Sequence, residues 1–365
     1  MIEVTDKERN WHIPNIYVVG IGGGGNNAVN RMIEAEVENV NFLCVNTDYQ
    51  ILESCKTENI LQIGAKLTGG YGAGTDPSIG EAAARENEEE IKNCLKDANM
   101  VLLTCGMGGG TGTGAISVIA KICKEMGILT IAVVTLPFEF EGKPRSLVAK
   151  NGIETLKGQV DTLLIIPNDK LLKLSDKPFF IDEAFVMADN VLKWTIQGIT
   201  NIVINKGIIN LDFNDLRKLF RDKGIAYLGI GIADDGCSIQ NAVMQAIDSP
   251  LLDTNIEGAS TVLINTSGRI NIAELHEAIS YVRSITGENS DINWGTVTDP
   301  KQISDEKVIV TLIATGLPEK KVSTVVSDES IKILEMTNDS KQMLRKPQML
   351  KKSLEVPEFL KRYNP

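Results

Sequence analysis

The chain has 365 residues, 43% hydrophobic and 23% charged, a globular balance with room for two domains at roughly 150 residues each. Lys and Arg total 37 against 48 Asp and Glu, and the net charge of −11 argues against wholesale binding to nucleic acid or anionic lipid. The charge is uneven: residues 341–365 carry Lys341, Arg345, Lys346, Lys351, Lys352, Lys361 and Arg362 against Glu355 and Glu358, a net +5 that leaves −16 for the rest.

Other classes fall away quickly. The polar N-terminus lacks the apolar stretch of a secretory signal. The longest apolar run, residues 128–138, is far short of the roughly 20 residues that a membrane helix needs. Cys44, Cys55, Cys94, Cys105, Cys123 and Cys237 form no CxxC pair and sit mostly in apolar patterns, so they read as reduced cytosolic core residues. His12 and His276 stand alone, which speaks against a transition-metal site or a His-based triad, and no metal ligands are assigned. With 32 glycines and 5% aromatic residues, binding loops built from backbone are favoured over aromatic stacking surfaces.

In chain order, residues 16–20 predict a strand, 25–34 a helix and 40–46 a second strand. Asp76-Pro77 offers an N-cap followed by Pro at the first helical position, opening a helix that runs to about residue 96. Then come a strand at 100–105, a helix at 112–126 and strands at 128–135 and 161–167. Continuous Val/Ile/Leu runs separated by helices predict a parallel sheet covered on both faces. A helix at 182–205 follows, with Phe185, Ala188, Val191, Leu192, Thr195 and Ile199 at helical spacing. Beyond it, helices at 212–221, 238–247 and 272–284 and strands at 225–233, 261–266 and 308–314 predict a smaller mixed α/β domain. The fold class is therefore α/β, and residues after 318 read as a linker ending in an apolar-basic patch.

Two loops carry chemistry. Residues 20–28, GIGGGGNNA, lie between a strand and a helix, where glycines allow close approach and the helix start presents N–H groups to an anion. Asp48 follows at about the distance of a Rossmann ribose acid, so this loop alone fits a dinucleotide as well as any other phosphate ligand. Residues 108–114, GGGTGTG, again join a strand to a helix, and such a loop wraps a polyphosphate with backbone N–H groups, aided by the hydroxyls of Thr111 and Thr113. Two such loops on neighbouring strand ends imply one triphosphate held from two sides. No GxxxxGK[ST] supplies a lysine, so a bound Mg²⁺ is expected to help. Asp212 and Asp215 share a helix face at i,i+3, which spacing alone leaves open as a capping pair, and Asp189 is a costly burial on an apolar helix unless it is paired.

The GGGTGTG loop resembles the signature of the tubulin-like GTPases, and the chain is similar to the FtsZ branch of that family, the bacterial cell-division GTPases. The resemblance runs from residue 13 to 318 and over the last dozen residues. It rests on both glycine loops, Asn46-Thr-Asp48, Gly72-Ala-Gly74, Pro137-Phe-Glu-Phe-Glu141-Gly142, Ile166-Pro-Asn168-Asp169, Ala188-Asp189-Asn190-Val191-Leu192, Gln197-Gly198-Ile199, Asn210-Leu-Asp212-Phe-Asn-Asp215, Ser249-Pro250-Leu251-Leu252 and Ala314-Thr315-Gly316.

It implies an N-terminal segment at 1–12, a Rossmann-type GTP-binding domain at 13–181, a central helix at 182–206, a smaller activation domain at 207–318, a flexible linker at 319–353 and a partner-binding peptide at 354–365. Gly23, Gly24, Gly25, Asn26 and Asn27, with Gly110, Thr111 and Gly112, would hold the phosphates, and Gly74, Gly109 and Thr113 join the nucleotide-binding set. Glu141 and Arg145 would reach the ribose and phosphate region, and Asn168 and Asp189 the guanine. Asn210, Asp212 and Asp215 would be catalytic, inserted over the γ-phosphate of the next subunit to position water. The resemblance thus implies a head-to-tail filament that hydrolyses GTP to GDP at subunit interfaces, forming the cytoplasmic midcell division ring under the membrane. Val356, Pro357, Phe359 and Leu360 would bind membrane-tethering and regulatory division proteins, with no nucleic-acid partner and no membrane insertion. A tubulin-like filament with a non-division role and an NAD-binding oxidoreductase are the alternatives. The sequence departs from the family pattern at Tyr71, Thr75, Asp76 and Leu136, near the phosphates.

Overall fold

The computed structural model describes residues 14–172, 180–204, 213–234, 239–249, 256–267, 271–297 and 307–317, all within the first of two compact units, 1–318. The N-terminal segment, Asn210, Asp212, Cys237, the linker and the terminal peptide with Val356, Pro357, Phe359 and Leu360 lie outside the described residues.

Apolar, largely β-branched runs form β1 (Ile16–Ile21), β2 (Asn41–Asn46), β3 (Ile60–Gln62), β4 (Met100–Gly106), β5 (Leu129–Leu136) and β6 (Thr162–Pro167). The segments between them fold as α1 (Gly22–Glu34), α2 (Tyr49–Glu53), α3 (Ala65–Thr68), α4 (Pro77–Glu86), α5 (Glu88–Leu95), α6 (Gly110–Glu125), a 3-10 turn at Glu139–Glu141, α7 (Lys143–Lys157) and α8 (Asn168–Leu171). The long α9 (Ile181–Ile204) leads to α10 (Phe213–Phe220), β7 (Gly224–Asp234), α11 (Ile239–Ile247), β8 (Thr261–Ser267), α12 (Ile272–Thr286), β9 (Asp291–Val297) and β10 (Lys307–Thr315).

The strands hydrogen-bond in the order β3-β2-β1-β4-β5-β6-β7-β10-β8-β9. Pairing is parallel from β3 through β7, antiparallel on both edges of β10, and parallel again between β8 and β9. β7 joins the two regions: Gly224, Ile225 and Ala226 pair with β6, and the strand from Tyr227 onward pairs with β10. β4 is buried from Met100 to Cys105, as a strand covered on both faces must be.

Three apolar clusters hold this together. Two lie on the parallel region, one including Val18, Leu102 and Val133, the other Val19, Leu103 and Val134. Alternate residues of the same strands thus feed different layers. The third packs α11 and α12 on β8 and β10 through Val243, Ala246, Val262, Val282 and Leu312. α9 buries Val191, Leu192, Ile196 and Ile199 in the cluster that also holds Val18, Leu228, Leu263 and Ile313, so one helix stripe packs against both strand regions. Each such aliphatic side chain contributes about 1.5–3 kcal/mol on full burial, which outweighs the weak strand-to-strand link at β6 and β7 as the tie between the regions. Thr195, on the same stripe, satisfies its buried hydroxyl by donating to the Val191 carbonyl at 2.7 Å.

Asp76 caps α4 by accepting from the Ser78 amide at 2.9 Å, with Pro77 at the first helical position, as its sequence predicts. The helix expected to run to 96 instead breaks at Asn87, whose carbonyl side chain accepts from the Gly64 amide at 2.8 Å and so fastens the loop after β3. Cys44, Cys105 and Cys123 are free and buried, and burial pushes the Cys123 thiol up to about 12 and raises those of Cys44 and Cys105 as well. These thiols are core residues with little nucleophilic character.

Candidate functional site

The strand order reverses at β1 and β4: the chain runs outward to β2 and β3 on one side and to β5 and β6 on the other. A crevice opens at such a switch point, beyond the carboxyl ends of the strands. The two glycine loops leave from those two ends, β1 running into α1 and β4 into α6. Gly22 adopts φ +69°, which favours glycine, and a Cβ there would lie 2.9 Å from the Gly112 amide nitrogen. The two loops therefore meet backbone to backbone.

Both helices start bare. Neither α1 nor α6 has a side-chain cap, and neither carries an acidic residue in its first turn. The first N–H groups of a helix have no intrahelical acceptor, and together with the helix dipole they favour an anion. α6 starts at Gly110, two residues earlier than expected, and α1 at Gly22.

Polar side chains set the loop shape from behind. The Asn26 amide donates to the Gly20 carbonyl at 2.8 Å, and its carbonyl oxygen accepts from Asn46 at 2.7 Å. Thr47 and Thr111 share a 2.7 Å hydrogen bond, and Thr113 accepts from the Gly108 amide at 2.9 Å. The loop of residues 69–76 is tied in where the Gly110 amide donates to the Gly74 carbonyl at 3.2 Å.

The crevice is a cavity of about 640 Å³. Of the residues expected from sequence, Gly23, Gly24, Asn27, Gly74, Gly109, Gly110, Thr111, Gly112, Glu141, Arg145, Asn168 and Asp189 line it. Gly25, Asn26 and Thr113 stand behind its wall: a Cβ on Gly25 would meet the Thr104 carbonyl at 2.4 Å, and Asn26 and Thr113 brace the loops as above. Asp215 lies on α10, outside the lining, and accepts from Lys218 at 2.9 Å.

The charged groups of the lining are paired. Glu141 accepts from the Phe138 amide at 2.9 Å and pairs with Arg145 of α7. Asp48 is spent as the cap of α2, accepting from the Gln50 and Ile51 amides at 3.0 and 3.4 Å. The cap uses Oδ1 alone. Asp189, with a side chain 15% exposed, accepts from Arg31 Nε at 2.6 Å. Burial pushes its carboxyl above the ordinary carboxylate value, and the Arg31 guanidinium opposes that shift.

Asn168 is different: it is 5% exposed, and its Oδ1 has no hydrogen-bond partner. An orphaned buried acceptor costs about 1–3 kcal/mol, so this atom fits a site completed by a ligand with a donor edge. Phe185, placed by its spacing on the buried stripe of α9, is 41% exposed instead and lines the cavity, edge-on to Phe138 and Phe140. Arg31, Thr47 and Phe185 went unmarked as site residues in the sequence. For Arg31 the sequence offers no more than a cation on the first helix.

Among the described residues no group of three or more His, Cys, Asp or Glu could hold a metal ion, and no helix is long and apolar enough to cross a membrane.

Residues 15–176 match the Tubulin/FtsZ family GTPase domain, and residues 224–318 match the FtsZ family C-terminal domain. Among solved structures, an empty FtsZ dimer from M. jannaschii is 42% identical with a TM-score of 0.79, covering 83% of this chain and 88% of that one. CetZ2 from Haloferax volcanii, a GTPγS-bound protofilament, is 20% identical with a TM-score of 0.72, covering 90% and 99%. CetZ1 from the same organism, a GDP-bound monomer, is 20% identical with a TM-score of 0.70, covering 90% and 99%, and at that identity both CetZ structures bear on the fold alone. With a parallel-sheet GTPase domain, a C-terminal domain and 42% identity over most of its length, the chain belongs to the FtsZ family of tubulin-like GTPases.

Proposed function

We propose that the chain is a self-assembling GTPase that polymerises head to tail, hydrolyses GTP at each junction and works in the bacterial division ring. On this reading the bare N-termini of α1 and α6 take the triphosphate through backbone N–H groups, with the Thr111 hydroxyl adding a donor. Glu141 and Arg145 hold the ribose and phosphate side, and Asn168 and Asp189 read the guanine. A divalent cation, when bound, would neutralise charge on the phosphate oxygens, and among the described residues no carboxylate cluster competes with the phosphates to hold it.

One observation carries the shared-site part of the proposal. Among the described residues, the carboxylates that line the cavity are Asp48, Glu141 and Asp189; Glu141 is engaged at both oxygens, by the Phe138 amide and Arg145, and Asp48 and Asp189 at one each, by the α2 cap and Arg31. Asp215 lies on α10 outside that lining, which supports reading the segment of Asn210, Asp212 and Asp215 as one donated to the cavity of a neighbouring copy. A heterologous contact of that kind does not close on itself and makes a filament. The printed assembly of the 42% identical relative, an FtsZ dimer, agrees with self-association.

The domain limits given above for the sequence are kept as part of this proposal, as is the peptide with Val356, Pro357, Phe359 and Leu360 as the attachment to division proteins. A filament role outside division is the second reading, since the cavity and the shared site serve either role. The oxidoreductase alternative is disfavoured by the match of residues 15–176 to the Tubulin/FtsZ family GTPase domain. The test is a mixture of two inactive variants. Asp212→Ala keeps an intact cavity and Asp189→Leu an intact donated segment, so mixing them restores phosphate release, which a self-contained site in each copy does not allow.

A further inference from the structure

Asp189 and Arg31 come from helices far apart in sequence, α9 and α1, and meet at 2.6 Å through Arg31 Nε and Asp189 Oδ2, with both residues lining the cavity. The Arg31 side chain is 35% exposed and that of Asp189 is 15% exposed, so the cation stands on the wetter side of the pair. We infer that Arg31 is a positioning residue that makes the Asp189 carboxylate read a guanine edge and reject an adenine edge. The inference rests on the guanine-reading role proposed above for Asp189.

The chemistry is a matter of donors and acceptors. A guanine edge presents N1–H and N2–H donors, which an ionised carboxylate accepts. An adenine edge presents N1 as an acceptor beside the N6–H donor, which an ionised carboxylate repels and a protonated one can match by donating its own proton. Discrimination therefore depends on Asp189 staying charged while it is buried. Burial drives it toward the neutral form, and Arg31 is the group that drives it back. Because Arg31 holds Oδ2, it also fixes the plane of the carboxylate and leaves Oδ1 as the remaining acceptor.

The other charged groups near the pair do not replace Arg31. Lys193 lies one turn along α9, and burial and the Arg31 charge both depress its ammonium. On α8, Asn168 is neutral and Asp169 accepts from the Glu139 amide at 2.9 Å, beside Lys170. On α1, Glu34 is paired with Lys56 at 2.6 Å. Glu141 and Arg145 pair with each other.

The test compares wild type, Arg31→Gln and Arg31→Lys as full-length chains, with GTP and ATP affinity measured by calorimetry from pH 6 to pH 8. Wild type prefers GTP throughout. Arg31→Gln loses that preference as pH falls, so that its GTP-to-ATP affinity ratio at pH 6 is at least several-fold below that of wild type. Arg31→Lys keeps the charge and stays selective at both ends, while circular dichroism confirms that all three chains are folded. An Arg31→Gln chain that remains as selective as wild type at pH 6, or an Arg31→Lys chain that behaves like Arg31→Gln, overturns the inference. A wild type that does not prefer GTP at any pH overturns instead the guanine-site reading on which it rests.

Discussion

Thr47 and Thr111 share a 2.7 Å hydrogen bond between buried hydroxyls, although 64 residues separate them in the chain. The bond fastens the end of β2 to the first turn of α6, so the shape of the second glycine loop depends on a residue outside both loops. Thr47→Val leaves the Thr111 hydroxyl without this partner and lowers unfolding free energy by about 1–2 kcal/mol. GTP affinity falls several-fold with it. Thr111→Val also removes a donor to the phosphates and lowers affinity further. Urea unfolding and nucleotide titration of the two variants check the order, and equal loss of affinity in both counts against a phosphate role for Thr111.

Gly80 is where α4 meets the phosphate loop. A Cβ there would lie 2.4 Å from the Gly110 carbonyl oxygen, whereas Gly158 has φ −84° and open space around the same position. Gly80→Ala is expected to destabilise by about 1–3 kcal/mol and to weaken GTP binding by displacing Gly110. Gly158→Ala is neutral or stabilises by up to about 1 kcal/mol, through the unfolded chain. Thermal melts with and without GTP separate the two.

Asn168→Ala removes a buried acceptor that has no partner within the chain. The nucleotide-free protein should lose little stability, because no internal hydrogen bond of that oxygen is broken. The rise in melting temperature on adding GTP should shrink sharply, since the same atom is assigned to the base. A large drop in the nucleotide-free melting point with an unchanged GTP shift contradicts the assignment.

The pH dependence at Asp189 has a definite sign. Its folded-state carboxyl is raised above the ordinary value of 3.8, with burial as the largest cause. The folded form therefore binds the proton more tightly than the unfolded chain does. Its contribution to stability is full below pH 3.8 and is lost as pH rises through the folded value. Asp189→Asn carries no such loss, so nucleotide-free variant minus wild-type stability grows from pH 4 to pH 7 in urea titrations. GTP affinity at pH 7 falls in the same variant.

Sequence reading located the two phosphate loops because glycine runs at strand ends have few structural uses. It placed the starts of α1 and α6 late because glycine is a poor helix former, while here glycines are the first turns themselves. It missed α7, which carries Gly152 and a weak apolar stripe, and β9, whose DINWGTV mixes polar and apolar residues without a sustained apolar run. The break at Asn87 was hidden inside a continuous Ala/Glu pattern, and its cause, the Gly64 amide, lies 23 residues away. Arg31 with Asp189 is the same problem at larger scale: the charge that a buried Asp needs was expected, but 158 residues separate it from its partner.

On the proposed mechanism, one chain holds only part of the catalytic site. Phosphate release per subunit, measured with GTP across a wide range of protein concentration, tests it most directly. The account predicts negligible turnover at low concentration, a steep rise once filaments scatter light, and no rise for Asp212→Ala despite retained GTP binding. Turnover per subunit that is constant with concentration, or an Asp212→Ala chain as active as wild type, contradicts it.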